Sequence, residues 1–577
     1  MTRKFLFIFA TALLSISTVA AASGNDRSSV RSRRDQKRLN IKVVPWGPTQ
    51  IDVDTARQRA AASEVVRREL NGANYREVGF EYVYDTSETK SQAPRPPKGF
   101  RVIYYNYSTD MTLYADGDFA GNEPITAYWT NEVPGLNESE ILAAFQVLDQ
   151  DAQFRGLRAA KKAAYYQAMP PTTVIDGERL INIGVGDPAT GAYKIVGVSF
   201  KNNKVVNYAN GAPPTSIAAP ESCGVGDAGQ LPSGNGVAGQ ATLTVNDTGG
   251  NPLWEMMVVR PSSSSGRNFE RSGLEVRDVK YKGKMVLKRG HVPILNVKYV
   301  TGCGPYRDWQ YEENNFNAPE EGSQNPAPGI RILAPGQVAT TIVNTRNDTG
   351  NFHGVAIYTA DTGNGQEVVL VSEMSAGWYR YSMEWRFAAD GTIRPRYGFG
   401  SISDPCVCIQ RTHHTYWRFD FDIVNPENKV FMLDRGRKYR KPIETETAFF
   451  KSPLTSRSVL IQNANGDEAY QLVPGAKDGR VTDNDGNIFD AYGAGDFWVM
   501  RFKGTSAAPG ELDDTDGPLY PGANLAPWVN GESTTGEDIV VWYAGHQVRQ
   551  DDSSRSSRPQ VLSGIHVMGP TLRPVLW

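Results

Sequence analysis

The sequence predicts two small α+β modules followed by a large, mainly β sandwich, and three observations carry that prediction. Asp54–Leu70 and the stretch from Asn137 to Leu148 have helical spacing, and each is followed by short alternating runs such as Phe80, Tyr82 and Tyr84. From Ala241 to Trp577 apolar runs alternate with turn residues and no long helical pattern interrupts them, as in a sandwich. The composition agrees: 56 Gly and 35 Pro recur at short intervals, and aromatic residues make up 10% of the 577 residues, a mix suited to many short strands.

Taken in order, residues 1–22 read as an export signal: a basic start, an apolar run from Phe5 to Val19, then Ala20-Ala21-Ala22 before Ser23. Residues 23–48 form a basic, polar leader with its charge concentrated between Arg31 and Arg38. The first module spans 49–134, with Ala61, Val65 and Val66 as a helical stripe, a second strand at Phe100–Tyr107 and a Pro-rich turn at Ala93–Lys98. The second spans 135–217. Asn137 and Glu140 make a capping box, Ile141, Phe145 and Leu148 share a helix face, and strands follow at Leu180–Val185, Lys194–Phe200 and Lys204–Tyr208. Residues 218–240, rich in Gly, Pro and Ser, read as a linker to the sandwich at 241–577. The chain is expected to be secreted or periplasmic and, after signal cleavage, free of the membrane. A net charge of -2 removes any composition-level case for nucleic acid as a partner.

Cys223, Cys303, Cys406 and Cys408 allow two disulfides in an exported chain, with connectivity left open. Cys406 and Cys408 are poorly placed to bond each other in an extended strand. His291, His353 and His566 have no partner pattern and read as structural.

Four segments carry chemistry. Gly273-Leu274-Glu275-Val276-Arg277-Asp278-Val279 leads through Tyr281 to Tyr299. Ser375-Ala376-Gly377-Trp378-Tyr379-Arg380-Tyr381 continues to Gly391-Thr392-Ile393. Arg411-Thr412-His413-His414 runs on to Arg418-Phe419-Asp420-Phe421-Asp422, and Glu537-Asp538-Ile539-Val540-Val541-Trp542 precedes His546. In this order the segments resemble those of the copper- and topaquinone-dependent amine oxidases. The resemblance implies that Tyr379 is the quinone-precursor position and Tyr299 the active-site tyrosine. It also implies that His413 and His546 are copper ligands, with Arg411 standing where the first copper-binding histidine belongs. The base falls on Glu313 by ungapped counting and on Asn317 if Phe316 is aligned instead. Asp420, Asp422 and Asp538 match a structural calcium site. The implied reaction oxidises a small primary amine to an aldehyde with release of ammonia and hydrogen peroxide, and the implied assembly is a homodimer. Trp378 and Arg380 replace the family's Asn and Asp beside the quinone tyrosine.

His-x-His on a strand chelates because residues two apart share a face, whereas adjacent histidines point oppositely. On that ground Arg411 and His413 share a face and His414 points away. Arg does not coordinate a cation, so weak copper binding and little quinone are expected, unless Cys406 or Cys408 supplies a soft ligand. A non-catalytic binding or structural protein of the same fold is the alternative.

Overall fold

The computed structural model describes residues 39–83, 95–187, 193–208, 223–225, 238–265, 271–300, 303–363, 365–480, 495–502, 525, 528–549 and 567–577. The expected export signal, the Arg31–Arg38 segment, most of the linker and His566 lie outside the described residues. Among the described residues no helix is long and apolar enough to cross a membrane.

The leader expected at 23–48 contains one element of the sandwich. Asn40–Pro45 is an edge strand paired antiparallel with Gln240–Asn246, so this part of the leader and the end of the expected linker are structural. The first module has two helices, Gln50–Ala62 and Glu64–Glu69, where one was expected. Ser63 divides them: its extended backbone ends the first, and its hydroxyl accepts from Val66 N–H to cap the second. The break moves the core stripe to Val53, Ala56, Ala60, Val66 and Leu70 and leaves Ala61 exposed. These helices cover a four-stranded sheet of Tyr75–Val83, Gly99–Asn106, Met111–Asp118 and Thr126–Thr130.

In the second module the predicted capping box of Asn137 and Glu140 opens the helix Glu138–Gln150. Ile141, Phe145 and Leu148 are buried on it as the spacing requires. This helix packs on its own sheet (Ala164–Ile175, Glu178–Gly186, Tyr193–Ser199, Lys204–Asn207) and against Val78, Ile103 and Tyr105 of the first module. One face of the first module's sheet therefore joins the core of the second module, while its helices close a separate core on the other face. A buried ion pair crosses the core of the second module: Arg179 Nη1 donates to Glu140 Oε1 at 2.6 Å, and the Tyr107 hydroxyl donates to the same oxygen at 2.5 Å.

Among the described residues the sandwich consists of a ten-stranded and a twelve-stranded sheet. The strand Arg411–Phe421 lies inside the first, paired antiparallel with Lys284–Tyr299 on one side and Ile539–Arg549 on the other. The second sheet contributes the hairpin Gly365–Ala376 and Tyr379–Ala388, in which Ala376 pairs with Tyr379 across the turn Gly377-Trp378. Gly377 takes φ 57°, and a Cβ there would meet the Met169 side chain at 3.1 Å. Two disulfides, Cys223–Cys408 and Cys303–Cys406, complete the frame. They use all four cysteines, so the soft-ligand option at Cys406 or Cys408 is removed. The Pro405–Cys408 segment is a 3-10 turn rather than a strand, which turns the two thiols to different partners.

Glu140→Gln leaves the Arg179 guanidinium buried without its counter-charge, a loss of about 3–5 kcal/mol. The thermal midpoint of this variant, followed by circular dichroism, should fall clearly below that of the parent.

Candidate functional site

Side chains alternate between the two faces of Arg411–Phe421. Arg411, His413, Thr415, Trp417, Phe419 and Phe421 face the interior between the sheets, where Trp417, Phe419 and Phe421 join the main core. His414 and Tyr416 face the opposite way, and Tyr416 packs with Trp498 and Trp542 in a separate cluster.

The inner face meets Tyr379. The His413 ring lies 4.9 Å from the Tyr379 ring, 5.9 Å from Tyr381 and 4.4 Å from Phe399, centroid to centroid. The Arg411 guanidinium carbon is 5.6 Å from the Tyr379 ring centroid, and Nη1 donates to the carbonyls of Val407 and Ile409. The Tyr299 and Tyr379 hydroxyls are in direct, short contact, and Trp378 Nε1 donates to the Tyr299 hydroxyl at 3.1 Å. Burial pushes the Tyr379 phenol up to about 12, against the pull of Arg411. Tyr299, Tyr379, His413 and Arg411 are thus brought together.

His546 is not. It pairs directly with His414, so the two share the outer face, while His413 pairs with Val297 and Gln547. The expectation of one pocket holding Tyr379, His413 and His546 is corrected by this register. His414 Nδ1 is 2.8 Å from His546 Nδ1, and His546 Nε2 is 3.1 Å from Asp496 Oδ1. Burial lowers the His546 pKa below the ordinary imidazole value.

Neither candidate base touches Tyr379 in a described contact. Glu313 is fully buried and accepts from Arg260 Nε at 2.9 Å and from the Ser262 hydroxyl at 2.9 Å. Burial raises its pKa, but Arg260 and Ser262 outweigh that and hold it below the usual range. Asn317 bridges Thr340 through its backbone. A buried carboxyl group that the motifs do not single out is Asp308, which accepts from the Tyr381 hydroxyl and is raised by burial to about 7. Counting from Tyr299 to Glu313 passed over it.

Arg380, where the family has Asp, is paired with Asp348 at 2.9 Å. Its Nη1 donates to the carbonyls of Gly377 at 3.0 Å and Tyr379 at 2.9 Å. It therefore fixes the backbone on both sides of Trp378. The second module covers this turn: Tyr166 donates to Asp404 Oδ2 at 3.0 Å, and Gln167 Nε2 donates to Glu312 Oε1 at 3.0 Å.

Copper held by three imidazoles does not fit these residues. Among the described side chains facing Tyr379 from this sheet, His413 is the one imidazole, beside a guanidinium and in a row with Val297 and Gln547. Calcium does fit. One carboxylate oxygen from each of Asp420, Asp422 and Asp538 lies within 4.8 Å of the others, and hard oxygen donors suit that ion.

No family model matches the sequence, and no curated protein matches it in sequence. Solved structures do match in fold. A copper-containing benzylamine oxidase from Hansenula polymorpha has 14% identity and a TM-score of 0.56 over 92% of this chain and 97% of that one. An Aspergillus nidulans amine oxidase has 15% identity and a TM-score of 0.52 over 92% and 88%. A Pichia pastoris lysyl oxidase has 14% identity and a TM-score of 0.52 over 91% and 88%. The chain has the fold of the copper amine oxidases, as the four motifs implied.

Four fully buried carboxyl groups surround this region with raised pKa values, each through burial: Asp308, Glu312 and Asp404 to about 7, Glu373 to about 8. The unfolded values are about 3.9 for Asp and 4.3 for Glu, so between about pH 4 and pH 8 the folded state binds more protons. This stabilisation is complete below the unfolded values and is lost as pH rises through the folded ones. The thermal midpoint should be lower at pH 8 than at pH 5, and Asp404→Asn with Glu373→Gln should flatten the difference.

Proposed function

We propose that this chain is an exported amine-oxidase-like protein that takes up copper poorly beside Tyr379 and carries out little or no oxidative deamination of primary amines. The observation that carries this reading is Arg411 sharing the Tyr379-facing side of its strand with His413. A guanidinium remains charged at any working pH and has no lone pair for a metal. At about 4 Å and an effective dielectric of about 20, two unit charges repel by about 4 kcal/mol, and a divalent ion about doubles that. Export is supported by the opening of the sequence and by two disulfides, which persist in oxidising compartments. The homodimer belongs to the same reading through the family resemblance.

A second reading is an active oxidase converting a primary amine to aldehyde, ammonia and hydrogen peroxide. The Tyr299–Tyr379 hydroxyl contact favours it, since these are the two tyrosines that the motifs pair. The purified exported chain separates the readings. A negative quinone-selective stain and no peroxide from benzylamine in the presence of copper are expected. A stained Tyr379 with peroxide release establishes the second reading instead. Arg411→His should raise copper affinity at the His413 side by at least about tenfold, equivalent to about 1.4 kcal/mol.

We also propose structural calcium on Asp420, Asp422 and Asp538. Removing it with EGTA should lower the thermal midpoint, calcium should restore it, and Asp422→Asn should abolish the response.

A further inference from the structure

Asn296, His414 and His546 stand in one row across three neighbouring strands of the ten-stranded sheet, Asn296 opposite His414 and His414 opposite His546. Alternation turns all three to the face away from Tyr379, with directly opposed residues about 4.5–5.5 Å apart. The three are buried, at 0%, 0% and 2% exposure. Neither the amide oxygen nor the amide nitrogen of Asn296 has a hydrogen-bond partner among the described residues. Burying such an amide unsatisfied is costly, so its place beside two imidazoles requires a reason.

The histidine geometry supplies one. His546 Nε2 is 3.1 Å from Asp496 Oδ1, and an imidazole that donates Nε2–H to a carboxylate presents its lone pair at Nδ1. That atom faces His414 Nδ1 at 2.8 Å. Two nitrogens each about 2.0–2.1 Å from an ion are about 2.9 Å apart at the right angle of a tetragonal copper(II) site and about 3.3 Å apart at the tetrahedral angle of zinc, so the spacing fits copper(II) best. Asp496 is fixed from its far side, where its Oδ2 accepts from the Lys451 backbone N–H at 2.7 Å. The Lys451 ammonium, 4.0 Å from Asp496 Oδ1, donates to the carbonyls of Asp478 and Ala544. The Tyr416 ring, 6.1 Å from His546, walls the row on its apolar side.

We infer that His414 and His546 bind one divalent ion of the zinc–copper class through Nδ1, with Asn296 Oδ1 as an oxygen donor and Asp496 orienting His546. Imidazole donors select such an ion over calcium or magnesium. The site lies on the opposite side of the sheet from Tyr379, and it stands whether or not the reading of the Tyr379 site holds.

The test uses the full exported chain stripped with 1,10-phenanthroline, then titrated with Zn2+ by calorimetry and with Cu2+ by electron paramagnetic resonance. One equivalent per chain is expected, with hyperfine coupling from two imidazole nitrogens. His414→Gln should weaken binding by more than about 100-fold and Asp496→Asn by about 10- to 100-fold. Asn296→Asp, which substitutes a charged oxygen donor, should tighten binding and serves as the check if His414→Gln fails to fold. His413→Gln should change the affinity by less than about threefold. Absence of binding, no tightening in Asn296→Asp, or binding abolished by His413→Gln and retained in His414→Gln overturns the inference. The quinone and peroxide readouts at Tyr379, taken on the unmutated chain, are separate from these outcomes, so failure of this inference and failure of the Tyr379 reading are distinguishable.

Discussion

The register of Arg411–Phe421 decides most of what this molecule can do. The strand is hydrogen-bonded on both edges and buried on both faces, so a slip of one residue would exchange its two sets of side chains. Its far end prevents that slip. Trp417, Phe419 and Phe421 fill the interior with Trp385 and Phe387, while Asp420 is turned to the other face, where it meets Asp422 and Asp538. Once those aromatic residues are inside, Arg411 and His413 must also be inside, and His414 must be out. Two adjacent histidines are thereby assigned to two different environments.

Inside, the consequence is a closed cluster of phenols and one guanidinium. Arg411 is held by carbonyls of the turn through Pro405–Cys408, and the two disulfides tie that turn to Cys223 and to Cys303, just beyond Tyr299. Arg380 grips the carbonyls on both sides of Trp378, and the second module packs over the hairpin tip through Met169. The Arg411 guanidinium therefore stands beside Tyr379 where a ligand for a divalent ion would otherwise be placed. Outside, the same strand carries His414 into a row with Asn296 and His546, where Asp496 lies against the His546 imidazole.

Much of this was legible in the sequence because it depends on local pattern. The Asn137 capping box and the β-rich remainder follow from caps, turns and periodicity. Alternation alone placed Arg411 with His413. Partners across strands were not legible. Nothing local says that His546 lies opposite His414 rather than beside His413, because that depends on how two segments more than 100 residues apart are aligned. The surroundings of the carboxyl groups were not legible for a related reason. Glu313 is claimed by Arg260, more than fifty residues earlier, and Asp308 becomes a neighbour of Tyr381 only once the sheets close. Ser63 divides the stretch Asp54–Leu70 because its hydroxyl caps Val66 N–H, a role that shows only once the backbone turns there.

The central claim is that the imidazoles of this fold are divided between two faces of one sheet. Anomalous X-ray diffraction from crystals soaked in zinc or copper tests it most directly. The account predicts a peak between His414 and His546, with none between His413 and Tyr379. A peak within coordination distance of His413 and His546 together would contradict it.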